Sequence, residues 1–115
     1  IATKLVELPY SHRSMYMAAS DERATTKVLI QTLEAGQKVL GWFHSHPGDG
    51  IDATNPSWRD KETQRLWESL CPVIGGIWVR SGLIRFFSDF TPYRISIVGR
   101  QIHRVENDVY KLEEE

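Results

Sequence analysis

Residues 41–60, GWFHSHPGDGIDATNPSWRD, contain the pattern that decides the fold. An apolar, strand-like run ends in His44 and His46, and a polar loop then leads to a helix that begins at Ser57. Because side chains alternate along a strand, the two imidazoles share one face, with about 7 Å between their Cα atoms. Asp60, in the first turn of the helix, could bring a carboxylate to the same point. Two imidazoles and one carboxylate are typical of a catalytic zinc site, whose fourth position is left for water.

Each part of this pattern also has a purely structural explanation. Ser57 and Asp60 stand three residues apart ahead of an apolar run, which is close to a capping box at a helix N-terminus. His44 and His46 could be hydrogen-bonded strand residues without a metal, because a buried imidazole needs a polar partner in any case. The combination of all four residues favours a metal site, and a cap role for Ser57 is compatible with it.

Composition narrows the class of protein. The 115 residues fit one domain, 1–115, and are 41% hydrophobic and 25% charged, as in ordinary globular proteins. A net charge of −1 with scattered Lys and Arg argues against nucleic-acid binding, and no apolar stretch approaches membrane-spanning length. Cys71 is the single cysteine, so we expect no internal disulfide and a cytoplasmic location. The chain opens directly on the strand-like IATKLVEL, so we expect it to be N-terminally incomplete.

Periodicity and turn signals predict a mixed β-sheet flanked by helices, in an α/β or α+β fold. The expected strands cover 2–8, 38–46, 73–79, 83–90 and 93–98, with a weaker extended segment at 14–19 after a turn-prone PYSHR. The expected helices run from a cap at Ser20 to a stop at Gly36, from Ser57 to the Cys71-Pro72 pair, and over 101–115. The second helix should turn Leu66, Trp67 and Leu70 inward.

The segments GWFHSHP and NPSWRDKETQ resemble the signature of the JAMM (MPN-type, JAB-fold) zinc metalloproteases, in particular the deubiquitinase-like branch. That signature is HxHP, a loop, and then SxxD. The resemblance implies an MPN/JAB-like fold in which His44, His46 and Asp60 bind Zn²⁺ and the catalytic Ser57 helps to hold the oxyanion. It also implies a hydrolase that cleaves an isopeptide or peptide bond after the tail of ubiquitin or a ubiquitin-like protein, with Trp58 the best candidate for contacting that substrate.

The chain departs from the family pattern at two points. The loop between His46 and Ser57 is about three residues longer than usual, so we expect an inserted flap with a mobile turn at Gly48 and Gly50. Asp49 or Asp52 in this loop could reach the metal. In addition, the family's catalytic glutamate has no counterpart in this chain. We expect it upstream of Ile1 or on a separate segment, together with the first strand and helix of the family fold.

Two other functions are compatible with the sequence. One is a catalytically inactive MPN-like scaffold subunit that binds protein partners, and the other is a JAB-fold hydrolase of a different substrate. Inactive relatives typically lose the ligands, whereas His44, His46 and Asp60 are all present together with Ser57. The presence of all three ligands and the serine favours an active enzyme over an inactive scaffold.

Overall fold

A computed structural model describes residues 10–13, 18–20 and 22–113. The described chain divides into two compact units, with the boundary between Leu40 and Gly41. The assignment of 1–115 to a single domain therefore stays a prediction. No helix in the described ranges combines the length and apolarity needed to cross a bilayer.

In the residues that the structure describes, the first unit contains a small antiparallel strand pair and one helix. Strands β1 (Tyr10–Arg13) and β2 (Ala18–Ser20) pair in antiparallel fashion, so the turn expected at PYSHR is wrong over its strand residues. The strand predicted over 2–8 lies outside the described residues, as does 14–17 of the extended segment. Helix α1 (Glu22–Glu34) ends where predicted. Gly36 adopts φ 73°, and its N–H and that of Gln37 donate to the carbonyls of Leu33 and Thr32, which is the pattern of a Schellman motif.

The second unit is a five-stranded mixed sheet crossed by one helix. The strands are β3 (Gly41–Ser45), β4 (Ile74–Trp78), β5 (Leu83–Phe87), β6 (Ile102–Glu106) and β7 (Val109–Leu112), in the spatial order β3-β4-β5-β7-β6. β3 and β4 are parallel and are connected through helix α2 (Trp58–Glu68), whereas the other neighbours are antiparallel. The predicted hairpin over 73–90 is confirmed, and so is the coarse class, a mixed α+β fold.

The predicted inner face of α2 is wrong for two of its three residues, whereas the third, Trp67, is half-buried. Leu66 and Leu70 are each 63% exposed, whereas the buried side chains of α2 are Asp60, Gln64 and Glu68. These three polar residues repeat every four positions and so form one face of the helix. Each of them has hydrogen-bond partners outside α2, which offset the cost of burying it.

The C-terminal region contains two further corrections. The closing helix predicted over 101–115 is instead the hairpin β6–β7. Its turn passes through Asp108, which adopts φ 66°, a left-handed conformation that Asp tolerates better than most residues. The segment 93–98 alternates between half-buried and exposed residues as predicted, but it forms no strand ladder. Its Ile95 carbonyl accepts a hydrogen bond from the Tyr110 hydroxyl instead.

The core of the second unit lies along β4, β5 and β7. Its buried apolar side chains are Val73, Ile77, Val79, Leu83, Phe86, Val109 and Tyr110. Gly75 on β4 permits close approach from two directions, because a Cβ there would lie 2.6 Å from the Phe87 ring and 3.0 Å from the Gln64 side-chain oxygen. The absence of a side chain at Gly75 thus lets α2 pack directly on the sheet beside β3.

Candidate metal centre

His44, His46 and Asp60 converge on one point between β3 and the start of α2. The Nε2 atom of His44 lies 2.9 Å from Asp60 Oδ1, and the Nε2 atom of His46 lies 2.9 Å from Asp60 Oδ2. The two Nε2 atoms are 3.0 Å apart. The three side chains are between 12% and 19% exposed, so the cluster is mostly withdrawn from water while one side stays accessible. The sequence prediction that these three side chains meet is confirmed.

A capping box places Asp60 at this point. The Ser57 hydroxyl oxygen accepts a hydrogen bond from the Asp60 N–H at 3.1 Å, and the Ser57 N–H donates to Asp60 Oδ2 at 2.8 Å. Burial raises the pKa of Asp60, but hydrogen bonds from His44 and Ser57 outweigh burial and lower it to about 2. Asp60 is therefore an anion at neutral pH, and it serves as both the helix cap and the carboxylate of the cluster.

The cluster has fewer hydrogen atoms than its short nitrogen–oxygen contacts require. The His46 Nδ1 atom lies 2.9 Å from the Ala53 carbonyl oxygen, which can only accept, so we infer that Nδ1 carries the hydrogen. A neutral His46 then presents an unprotonated Nε2 to the Asp60 carboxylate. His44 can donate one hydrogen from its Nε2 to Asp60. The contact between His46 Nε2 and Asp60 Oδ2 then joins two hydrogen-bond acceptors, with no hydrogen between them. A cation at the centre, or an additional proton, balances this set.

The spacing of the three ligand atoms fits a metal ion. A tetrahedral site with metal–ligand distances of about 2.0 Å has ligand–ligand edges of about 3.3 Å. The observed separations of 2.9 to 3.0 Å need only a small outward adjustment to reach that value. Two imidazoles and one carboxylate also form the donor set expected for a borderline-soft divalent ion. The residues present thus fit zinc in chemistry and in spacing.

His44 is supported by an aromatic stack. The Trp42 ring lies parallel to the imidazole, at 3° and with 4.9 Å between ring centroids. The Trp42 indole N–H donates to the Gln64 side-chain oxygen at 2.6 Å, and the Gln64 amide donates to the Val73 carbonyl at 3.0 Å. The Nδ1 atom of His44 is buried and has no hydrogen-bond partner within the described part of the chain.

His46 is supported by the loop that follows it. Residues Ile51–Thr54 of this loop form a short 3₁₀ helix, whose Ala53 carbonyl accepts the hydrogen bond from His46. Ile51 and Ala53 pack against the buried cluster of Val79, Leu83 and Val109. This part of the loop is thus packed on the sheet and contacts a cluster histidine, while the inserted flap with a mobile turn at Gly48 and Gly50 stays a prediction.

The loop aspartates do not join the cluster. Asp49 pairs with Arg80 in the β4–β5 turn, and its backbone carbonyl accepts from the Ser81 hydroxyl. Asp52 is exposed and likewise lies outside the group of potential ligands. Within 10–13, 18–20 and 22–113, that group consists of the two histidines and Asp60. The idea that either loop aspartate reaches the metal is thus wrong.

Ser57 and Trp58 lie at the start of α2, the helix that carries Asp60 in its first turn. Ser57 is exposed, and with its oxygen accepting from the Asp60 N–H its own hydrogen is free to donate. Trp58 is 73% exposed and thus available for contact with another molecule. Trp42, Gln64 and Ala53 were missed as supporting residues. A tryptophan two positions before His44 was a usable signal, whereas the roles of Gln64 and Ala53 depend on contacts that a single sequence does not reveal.

Comparison of the chain with protein-family models, with curated proteins and with solved structures found no match. The interpretation of the site therefore depends on its geometry and on the HxHP and SxxD segments of the sequence.

Proposed function

We propose that this protein is a zinc-dependent peptidase or isopeptidase of the JAMM type, with an MPN/JAB-like fold. The observation that carries the proposal is the convergence of His44, His46 and Asp60. This cluster has too few hydrogens for its short contacts, and the Ser57 hydroxyl lies next to it, hydrogen-bonded to the Asp60 N–H. The substrate is a protein that carries a ubiquitin or ubiquitin-like tail. The resemblance of the two sequence segments supports this choice of substrate.

In this proposal the residues of the site have separate roles in metal binding, catalysis and substrate contact. Zinc bound by the three ligands would act as a Lewis acid that polarises a carbonyl and lowers the pKa of water. Ser57 donates its free hydrogen to the oxyanion that forms on the scissile carbonyl. Trp58 offers an apolar surface to the substrate next to that position. A glutamate from another segment or from a partner subunit accepts the proton of the attacking water, as the resemblance implies.

The first test is the metal content of the purified protein. We expect about one zinc per chain, because ligands held on a strand and a helix need little rearrangement to bind the ion. Replacing both His44 and His46 with Ala should abolish this zinc. His103→Ala is the matched control, because His103 is an exposed histidine on β6 and should leave the content unchanged. Full zinc content in the double variant would refute the proposal. Bound zinc without cleavage of di-ubiquitin, by the chain alone or with a segment that supplies the glutamate, would favour the scaffold alternative.

The second test separates the cap role of Ser57 from its catalytic role. Ser57→Ala should lower kcat for isopeptide cleavage by about 100-fold, since removing one oxyanion donor costs that much in other enzymes. Ser57→Gly is well accepted at a helix N-cap but has no side-chain donor, so it should recover most of the thermal stability without recovering kcat. Ser57→Thr keeps a hydroxyl that can cap the helix and donate to the oxyanion, so it should retain both thermal stability and kcat. Wild-type turnover in the Gly variant would show that Ser57 is a cap only.

A further inference from the structure

The Ala53 carbonyl that holds His46 belongs to the 3₁₀ helix, and a short chain of hydrogen bonds ties that helix to the sheet. Arg85 on β5 donates from Nε to the Thr54 hydroxyl oxygen at 3.1 Å. The Thr54 hydroxyl donates in turn to the Ile51 carbonyl at 2.6 Å. This hydrogen bond joins Ile51 and Thr54, the two ends of the 3₁₀ helix, and Ala53 lies between them.

These hydrogen bonds are shielded from water because the side chains that make them are mostly buried. Thr54 is fully buried, at 0% exposure, and the Arg85 side chain is 17% exposed. A second guanidinium nitrogen of Arg85 lies 3.3 Å from the Glu106 carboxylate on β6. Because a buried polar group without a partner is costly, these groups favour the one arrangement in which each finds its partner. The 3₁₀ helix is thus anchored to β5, the central strand of the sheet, and through Arg85 to β6 at the edge opposite β3.

We propose that Thr54, held by Arg85, is a positioning residue of the metal centre. It fixes the 3₁₀ helix so that the Ala53 carbonyl keeps the hydrogen of His46 on Nδ1 and leaves Nε2 free to bind the ion. The inference rests on the proposed metal binding but not on the cleavage reaction. It gives the inserted loop a role as a support for one ligand.

The expected size of the effect follows from the role of such outer contacts. A backbone carbonyl that accepts from the distal nitrogen of a ligand histidine fixes the tautomer and orientation of the ring. If the carbonyl shifts, His46 can place its hydrogen on Nε2 and donate it to Asp60, and this tautomer cannot bind a metal through Nε2. Losing an outer contact of this kind typically weakens metal binding by about 10-fold to 100-fold.

The test compares two substitutions of Thr54. Thr54→Val keeps the shape but removes the hydroxyl, and we expect about a 10-fold higher Kd for zinc and an altered visible spectrum of the Co²⁺ form. Thr54→Ser keeps the hydroxyl and should restore both readouts. Arg85→Met should resemble Thr54→Val, whereas Arg80→Met removes an arginine that contacts the same loop only at Asp49 and should leave both readouts unchanged.

A further measurement does not depend on the variants folding or on any metal. In the metal-free wild type, ¹⁵N NMR of the neutral form of the His46 imidazole should find its hydrogen on Nδ1. Finding the hydrogen on Nε2 would overturn the proposal, and so would unchanged zinc affinity in folded Thr54→Val or Arg85→Met. A wild type that binds no zinc would refute both proposals, whereas zinc binding by the wild type with unchanged affinity in these variants would refute this one alone.

Discussion

His44 on β3 and His46 directly after its end lie two residues apart and point to the same cluster, yet their surroundings differ in kind. His44 is stacked on Trp42, and its Nδ1 atom has no hydrogen-bond partner in the described part of the chain. His46 has an acceptor at Nδ1, the Ala53 carbonyl, which belongs to a packed loop. A stack restricts where a ring lies without choosing its tautomer, whereas a hydrogen bond chooses the tautomer. The two ligands of the candidate centre are thus positioned by different physical means.

On the His44 side we expect an effect as large as the one that Thr54→Val has on the His46 side. Trp42→Leu removes both the stack and the indole N–H, so the Kd for zinc should rise by about 10-fold. Trp42→Phe keeps an aromatic ring but leaves the Gln64 oxygen without its donor, at a cost of about 1–3 kcal/mol in unfolding free energy. We therefore expect Trp42→Phe to lose stability while retaining most of its zinc affinity. Isothermal titration and urea unfolding measure the two quantities separately.

Trp78→Leu is the control for the stack, because Trp78 is a half-exposed tryptophan on the neighbouring strand β4. It should leave zinc affinity unchanged. In Trp42→Leu the hydrogen of His46 should also remain on Nδ1, since the Ala53 carbonyl is untouched. Equal loss of zinc affinity in the Phe and Leu variants would show that the indole hydrogen bond, and not the stack, positions His44.

The smallest effect on metal binding is expected at the far end of α2, which supports neither histidine directly. Glu68 accepts hydrogen bonds from the backbone N–H groups of Asp89, Phe90 and Thr91, the shortest at 2.7 Å. Burial raises the pKa of Glu68, but these hydrogen bonds outweigh it and hold the pKa below its usual value. Glu68→Gln should lower the unfolding free energy by about 1–3 kcal/mol at neutral pH and change zinc affinity by less than about twofold.

The pH dependence of that loss has a definite sign. The pKa of Glu68 is lower in the folded state than in the unfolded state, so its contribution to stability is complete above the unfolded value of about 4.3. The contribution disappears as the pH falls through the lower, folded-state pKa. Urea unfolding of the wild type and of Glu68→Gln should therefore converge in acid. A constant difference down to the lowest pH would assign the loss to packing instead of charge.

The local parts of the candidate site could be predicted from the sequence. The shared face of His44 and His46 follows from strand geometry, and the position of Asp60 follows from its spacing to the Ser57 cap. Both depend on residues that are close in the chain. The supports of the histidines could not be predicted in this way, because Gln64 and Trp42 are 22 residues apart and the Thr54–Arg85 contact spans 31.

The inner face of α2 shows why hydrophobic periodicity failed there. The sequence places Leu66 and Leu70 on one side, and burial of leucine is the ordinary expectation. The structure buries Gln64 and Glu68 instead, because each finds several partners on the sheet or in the loop after β5. The prediction of a C-terminal helix failed for a different reason. The turn through Asp108 reverses the chain, and a pattern of charged residues did not reveal it.

The capping box has a consequence for the kinetics of ion exchange. The Asp60 carboxylate is held by the Ser57 N–H and contacts one histidine through each oxygen, so its side-chain rotation is already restricted in the folded protein. Most of the entropy lost when a carboxylate is immobilised has therefore been spent in folding α2, before any ion arrives. Release of an ion cannot begin by a swing of Asp60 unless the first turn of α2 also opens. The lifetime of a bound ion should thus be coupled to fraying of that helix end, and a substitution that frays it should speed the exchange of the ion more than it weakens its binding.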